Sequence, residues 1–308
     1  MKNGHKIKRY YMLFNMVVEN PRMKVKKMAR LTGLTGRGQT ASTIAKRLKK
    51  MYELKISLKP KLALKTFENT QATAYFCRKI DRRNLRNTFY QLHKDTSIDY
   101  VLFLAGWHDF FIKTREKNVD FEKYGLGIEE KCNLYTMLYT IPRGWNTPIE
   151  EAFQSFSDSD FEKGFISRDV NGILEWSNLD WKIYYAMRED VRSEFTHIGE
   201  EVSVASFTVK SHFYKYVLPC CNVAHYFFPK GYNFYKQAFL KITTKYEKGI
   251  VRALEKLPCT TYVIPLEKGL ILNIFHEGVN ELMTAIQKIE EIGILDTYSL
   301  QAPLTYSI

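Results

Sequence analysis

The sequence lacks long hydrophobic runs, paired-cysteine motifs and the short catalytic motifs of common enzyme classes. Its 308 residues are 45% hydrophobic and 26% charged, as in an ordinary globular protein, and no apolar stretch approaches the roughly 20 residues of a membrane helix. Five cysteines without a CxxC spacing favour free thiols in a reducing cytoplasm. No phosphate-binding loop, nucleophile elbow or HExxH segment is present. We therefore expect a cytoplasmic protein without a membrane segment, a cofactor or a metal.

Acidic residues are almost absent from the first 66 residues. This segment has 18 Lys or Arg residues and only Glu19 and Glu53 as acids, whereas the other 242 residues have 28 basic and 31 acidic residues. The net charge of +13 is therefore concentrated at one end of the chain. A cationic surface at one end indicates a polyanionic partner.

The segment from Lys24 to Lys50 has the pattern of two short helices joined by a glycine-rich turn. Apolar residues in the second helix follow the spacing of one buried face, at Ala41, Ile44, Ala45 and Leu48. Its other face starts with short polar side chains and ends with cations, the order expected of a recognition helix in a DNA major groove. The alternative is an amphipathic surface helix with a solvated basic face. The residues predicted to contact DNA are Arg37, Gln39, Thr40, Ser42, Thr43, Lys46, Arg47, Lys49 and Lys50.

A mixed pattern of strands and helices follows this unit. Residues 55–67 alternate loosely, as a two-stranded wing would. The next segments read as a strand at 73–80, a helix at 81–93, two strands within 99–115 that meet at Gly106, and a fourth strand at 133–141. This order, with a helix expected before the last strand, is the βαββαβ order of a ferredoxin-like domain.

The second half of the chain repeats the pattern of the first. Tyr75 and Leu240, like Phe89 and Leu254, are 165 positions apart, and Ile112 and Ile274 are 162 apart. Matching apolar positions at a nearly constant offset indicate an internal duplication. We predict an α+β protein with two winged helix-turn-helix units, each followed by a ferredoxin-like domain. The predicted bounds are 1–66 for the basic first winged unit, 67–143 for its ferredoxin-like domain, 144–178 for a linker, 179–233 for the second winged unit and 234–308 for the second ferredoxin-like domain.

This combination resembles the Lrp/AsnC (feast/famine) transcription regulators of bacteria and archaea. The resemblance rests on LDWKIYYAMREDVRSEFTHIGEEVSVASFTVKSHF at 179–213 and on LAGWHDFFIK at 104–113. The second segment is similar to the family's Gly-x-x-Asp turn between strands two and three, here Gly106 and Asp109. The resemblance implies DNA binding, dimerisation through the ferredoxin-like domains and an amino-acid effector near Gly106 and Asp109. The second copy, PLEKGLILNIF at 265–275, lacks this pair.

From these patterns we predict a DNA-binding transcription regulator, not an enzyme, that acts on double-stranded DNA as a homodimer. The first helix-turn-helix unit is expected to hold the DNA, because residues 179–233 have six basic and six acidic residues. Two alternatives stay open. One is a siroheme-decarboxylase-like enzyme, since Lrp-like domains recur in those enzymes without reading DNA. The other is a chromatin-like protein that binds DNA without sequence preference.

Two further groups of residues could carry chemistry. His108 lies beside Asp109, as a base beside an orienting carboxylate would, but neighbours on a strand point to opposite faces. We therefore expect His108 to have a structural role. Cys220, Cys221 and His225 lack a paired-cysteine spacing and a fourth ligand, so we expect buried thiols there and no zinc.

Overall fold

The first part of the fold is a three-helix unit. The computed structural model describes residues 2–32, 40–81, 83–116 and 118–306. Helices α1 (Lys2–Glu19), α2 (Val25–Leu31) and α3 (Ala41–Glu53) precede strand β1 (Lys61–Leu64). Their apolar faces meet in one buried cluster that includes Phe14, Met28 and Leu48.

The first ferredoxin-like half follows. Its elements are β2 (Thr73–Lys79), α4 (Leu85–Lys94), β3 (Tyr100–Ala105), β4 (Phe110–Thr114) and β5 (Leu126–Asn133). The antiparallel strand order is β5-β2-β4-β3, as in ferredoxin-like domains. A 3₁₀ turn at Glu122–Tyr124 stands where the second helix of this fold is expected.

The chain then continues through a short strand and the second helix-turn-helix unit. The elements are β6 (Leu138–Tyr139), α5 (Ile149–Ser157), α6 (Asn178–Met187), α7 (Phe195–Val202), α8 (Ser206–His212) and β7 (Cys221–Ala224). Helix α8 continues as one π turn over Phe213–Val217. Ser177 begins α6 with a capping box, in which it accepts the N–H of Asp180 and donates its own N–H to that carboxylate.

The second ferredoxin-like half has the same strand order as the first. Its elements are β8 (Lys236–Thr243), α9 (Glu247–Leu254), β9 (Tyr262–Pro265), β10 (Leu270–His276), α10 (Val279–Glu291) and β11 (Thr297–Tyr306). The order β11-β8-β10-β9 matches that of the first half strand for strand. The predicted fold class, α+β with two helix-turn-helix units and two ferredoxin-like sheets, is confirmed.

The two halves form one nine-stranded antiparallel sheet, because β3 pairs with β11. The sheet curls until its two edges meet, through a bridge between Leu134 and Leu266 and a hydrogen bond from Asn133 to Glu267. Helices α5, α9 and α10 pack on the outer face, as α4 does in the first half. The inner face encloses a second apolar core. This pairing is internal to one chain, and the homodimer stays a prediction.

The fourth strand predicted at 133–141 is wrong. The strand is β5, at Leu126–Asn133, and it lies at an edge of the sheet, where Glu129, Glu130 and Lys131 are tolerated. Those charges hide the apolar alternation that marks a half-buried strand. The apolar segment that suggested a strand instead supplies β6, which pairs with β9 of the other half.

The two-stranded wing predicted at 55–67 is also wrong. Only β1 forms there, and it pairs with β7 from the second helix-turn-helix unit. Two arginines join the units further: Arg22 donates to the carbonyl of Val191, and Arg192 donates to those of Pro21 and Met23. The two winged units therefore share a single small sheet. Among the described helices, none combines the length and apolarity that a bilayer crossing requires.

Candidate functional site

A cleft of about 360 Å³ opens between the inner face of the curled sheet, the shared β1–β7 sheet and helix α6. This volume is typical of pockets that enclose small molecules, roughly 300–1,000 Å³. The floor is apolar and comes from both halves, with Leu102 and Phe111 from the first and Phe239 and Ile271 from the second. The cleft is therefore built by the curling of the sheet.

One wall of the cleft is cationic. It is lined by Lys113 on β4, Arg115 directly after β4 and Arg188 directly after α6, together with Lys61 on β1 and Lys65 directly after β1. The described acids in the same lining are Asp99 and Glu189. Five cations against two carboxylates leave an excess of positive charge, which suits an anionic ligand bound by charge-assisted hydrogen bonds.

Both acids of this wall already have partners. The Nε of Arg115 lies 3.1 and 3.2 Å from the two carboxylate oxygens of Asp99. These bonds to Asp99 raise the pKa of Arg115 above its usual value. Glu189 accepts from Lys61 and lies 3.6 Å from the Nε of Arg188. The two carboxylates are therefore paired with three cations, Arg115, Lys61 and Arg188. Little negative charge is left to neutralise a fourth cation of the lining.

Lys113 is that fourth cation. Its backbone pairs with Tyr100 and Ala74 in the middle of the sheet, and its side chain is partly buried. Among the described residues it forms no ion pair, since Asp99 is bound by Arg115. Burial lowers the pKa of Lys113. The negative charge of Asp99 raises this pKa and the positive charge of Arg115 lowers it further. The amine therefore lies where a bound anion would stabilise its charged form.

A second group of lining residues, here called the tyrosine wall, consists of Tyr139, Tyr226 and Tyr262. The ring centroid of Tyr226 lies 5.3 Å from that of Tyr139 and 4.6 Å from that of Tyr262. Burial raises the pKa of Tyr139 to about 12 and those of Tyr226 and Tyr262 well above their usual value. All three hydroxyls are thus protonated at neutral pH. Flat aromatic side chains of this kind suit a planar, unsaturated ligand.

The described residues among those predicted to contact DNA lie outside this cleft. Arg37 and Gln39 fall outside the described residues. Thr40 is the N-cap of α3: its Oγ1 accepts the N–H of Thr43 at 3.4 Å and lies 2.9 Å from Ser42 Oγ. The cations of α3 are exposed or partly buried on its outer side, namely Lys46, Arg47, Lys49 and Lys50. These short polar side chains therefore form hydrogen bonds with one another and with the backbone at the start of α3.

The predicted effector turn is packed against the second half of the chain. Gly106 has φ +150°, and a Cβ there would lie 2.9 Å from Cγ of Gln301. Asp109 accepts the backbone N–H of Lys79 at 2.8 Å. Both residues thus have structural contacts, and the amino-acid effector at Gly106 and Asp109 stays a prediction.

His108 has a carboxylate partner that adjacency in the sequence did not reveal. Its Nε2 lies 3.4 Å from Oε2 of Glu129 on β5, and its Nδ1 lies 3.1 Å from Nε2 of Gln301 on β11. Burial lowers the pKa of His108, and Glu129 opposes this. Phe76 contacts the ring of His108 and that of Phe111, so His108 sits behind the floor of the cleft.

The cysteine and histidine residues considered for zinc are spread over the shared sheet. Nε2 of His225 lies 2.8 Å from Oγ of Ser57, and burial lowers the pKa of His225 to about 3. Cys221 is buried and Cys220 partly buried, both as free thiols. No three side chains suited to a metal come together within the described ranges.

Sequence reasoning missed the cleft because its walls come from distant segments. The cations lie on β1, β4 and α6, and the tyrosines lie on or beside β6, β7 and β9. One local signal was present in FFIKT at 110–114. Lys113 is the one charged residue of this strand, and it lies on the same face as the buried Phe111. A cation at such a position is costly unless something compensates it.

The fold of this chain is similar to that of two solved structures. No protein-family model matches the chain, and no curated protein is similar to it in sequence. The crystal structure of the siroheme decarboxylase NirDL in co-complex with an iron-uroporphyrin III analogue has a TM-score of 0.54 and 9% identity, covering 99% of this chain and 92% of that one. A second crystal structure of siroheme decarboxylase NirDL has a TM-score of 0.53 and 11% identity, covering 95% and 91%.

These comparisons overturn two predictions, that the chain is a DNA-binding transcription regulator and that it is not an enzyme. Two solved structures that match 95–99% of this chain are of the siroheme decarboxylase NirDL. In the structure β1 and β7 of the two helix-turn-helix units pair with each other beside the cleft, so neither unit forms a wing of its own. At 9–11% identity, what the chain shares with siroheme decarboxylase NirDL is the fold.

Proposed function

We propose that the chain is an enzyme of the siroheme-decarboxylase type, which binds a carboxylate-bearing tetrapyrrole in the cleft and removes carboxyl groups as CO₂. One observation carries this proposal: a single cleft combines an excess of cations on one wall with tyrosines on the other. The similarity of the whole chain to siroheme decarboxylase NirDL supports the same conclusion. Fold alone does not define an activity, so the argument depends on the chemistry of the cleft.

The cationic wall suits the carboxylates of such a substrate. Carboxyl groups of this kind are ionised at neutral pH, since their ordinary pKa is about 4. Arg115 and Arg188 present planar donor groups that match carboxylate geometry, and Asp99 holds Arg115 in place. Lys113, which forms no ion pair within the described residues, would provide a further contact. A polyanionic ligand would therefore be bound at several points on one side.

The tyrosine wall and the apolar floor suit the macrocycle. The rings of Tyr226 and Tyr262 are in contact, with centroids 4.6 Å apart and planes tilted by 47°. Phe111 and Phe239 lie 5.2 Å apart in the floor. Such groups bind a planar ring by its faces and edges and keep water away from it. The orientation that results would direct carboxylate side chains toward β4 and α6.

The direct test is incubation of purified protein with siroheme, followed by mass spectrometry of the extracted tetrapyrrole. We expect products that are lighter by whole CO₂ units, and an absorption change when iron-uroporphyrin III is added. Arg115→Met should weaken both effects, because it removes a cation from the cleft wall. The matched control is Lys94→Met, since Lys94 is exposed at the end of α4. Unchanged tetrapyrrole and no spectral change with the native protein would contradict the proposal.

A further inference from the structure

Lys113 occupies a partly buried position in the lining of the cleft. It lies on the inner face of β4, between Phe111 in the floor and Arg115 in the wall. The nearest carboxylate, Asp99, is held by Arg115 through both of its oxygens. In an empty cleft the described carboxylate that acts on this amine is therefore Asp99, which is already paired with Arg115.

Groups from every surrounding element face this amine. The strands contribute Asp99 and Arg115, and helix α6 contributes Arg188 and Glu189, with Glu189 taken up by Lys61 and Arg188. The net effect of these neighbours and of burial is to lower the pKa of Lys113. The other titratable side chains that line the same cleft are Lys61, Lys65, Tyr100, Tyr135, Tyr139, Tyr184, Tyr185, Tyr226 and Tyr262.

We propose that Lys113 is the proton donor of the decarboxylation: it takes up a proton when a substrate carboxylate binds beside it, and it transfers that proton to the carbon from which CO₂ leaves. This inference rests on the proposed function and adds the residue that completes the reaction. Its basis is the position of an uncompensated amine in the wall that faces the substrate carboxylates.

The step balances without an oxidant or a reductant. The bond between the carboxyl carbon and the side-chain methylene carbon breaks, and its electron pair stays on the methylene carbon while CO₂ departs. An N–H bond of the Lys113 ammonium breaks, and a C–H bond forms on that carbon. The products are a methyl group, CO₂ and a neutral amine. Departure of neutral CO₂ moves the negative charge from the carboxylate to the methylene carbon, a far stronger base, and this carbon takes the proton from the Lys113 ammonium.

The other donors of the cleft are less suited to this role. Arg115 and Arg188 do not release a proton at any ordinary pH. The pKa values of Tyr226 and Tyr262 lie well above their usual value, which makes both hydroxyls weaker acids than an ordinary tyrosine. Lys113 alone among these groups combines a lowered pKa with a place in the carboxylate-binding wall.

The test compares the native protein with Lys113→Arg, which keeps a cation that cannot donate its proton. Calorimetric titration with iron-uroporphyrin III, in buffers of different ionisation heat and over a range of pH, gives the protons taken up on binding. We expect a maximum of about one proton per bound molecule for the native protein and no such uptake for Lys113→Arg. Turnover of siroheme should fall by about 100- to 10,000-fold in Lys113→Arg, while its affinity for iron-uroporphyrin III stays within about tenfold of native. Lys94→Arg is the matched control, and it should behave as the native protein does.

Each outcome decides the question. Native turnover in Lys113→Arg would overturn the inference and leave the proposed function standing. Binding by the native protein without proton uptake would also overturn it, and this measurement needs no variant that must fold. A native protein that neither binds iron-uroporphyrin III nor decarboxylates siroheme would overturn the proposed function, and the inference with it.

Discussion

The two ferredoxin-like halves have the same strand order but face the cleft with different chemistry. At the offset of 162, Lys113 corresponds to Phe275 and Arg115 to Glu277, whereas Tyr100 corresponds to Tyr262. Phe275 is buried against the tyrosine wall. The two copies therefore share a tyrosine at one position and differ at the positions of the two cations. The result is an asymmetric cleft, in which the cations of the sheet come from the first half and not from the second.

The outer faces of the halves differ as well. The second half is covered by α5, α9 and α10 over a core of twenty buried residues, and Arg168 from the segment after α5 binds into it. The first half has α4 and a 3₁₀ turn over a core of nine. We expect the second half to be the more rigid one, because its buried core is larger.

The largest effect should come from making the first half as poor in cations as the second. The double variant Lys113→Met with Arg115→Met removes two charged donors, and each bond to a charged group contributes about 1.5–3 kcal/mol. We expect the affinity for iron-uroporphyrin III, measured by absorbance titration, to fall by a factor of about 100 or more. The control is Lys94→Met with Lys236→Met, a pair of exposed lysines. Equal affinities of the two double variants would refute the role of the cationic wall.

The rigidity of the second half can be tested at Arg168. Its Nη2 donates to Glu247 at 2.6 Å and to the carbonyl of Gly269 at 3.0 Å, and the Glu247 side chain is only 1% exposed. Arg168→Met leaves that carboxylate buried without its partner, so the free energy of unfolding should fall by about 3–5 kcal/mol. Urea denaturation measures this loss, with Arg83→Met as the exposed control. A loss no greater than that of Arg83→Met would show that the ion pair does not hold the linker to the second half.

A smaller effect is expected at the joint between the two helix-turn-helix units, where His225 bonds to Ser57. Burial lowers the pKa of His225 to about 3, whereas an unfolded histidine titrates near 6.5. Between these values the unfolded chain binds the extra proton, so the stability that depends on His225 is lost as the pH falls. Within this pH range the free energy of unfolding should decrease by about 1.4 kcal/mol per pH unit. Urea denaturation at several pH values measures this dependence. As the pH falls, the free energy of unfolding should decrease less steeply for His225→Gln than for the exposed control His93→Gln. Identical slopes would contradict a neutral, buried His225.

Sequence alone predicted the regular parts of this fold and failed where distant segments meet. The apolar alternation of β2, β3 and β4 and the offset between Tyr75 and Leu240 are local or pairwise signals, and they gave the fold class. Pairing of β1 with β7 and closure of the sheet at Leu134 depend on tertiary contacts, which no local pattern encodes. The functional prediction failed for the same reason. A basic amphipathic helix has the same sequence pattern whether or not it reads DNA, and the cleft is visible only after folding.

The structure of the protein bound to iron-uroporphyrin III tests the central claim most directly. The account predicts the macrocycle in the cleft against Tyr226 and Tyr262, with its carboxylates within hydrogen-bonding distance of Lys113 and of Arg115 or Arg188. A macrocycle bound on the outer face of the sheet would contradict it. So would a macrocycle in the cleft whose carboxylates point away from all three cations.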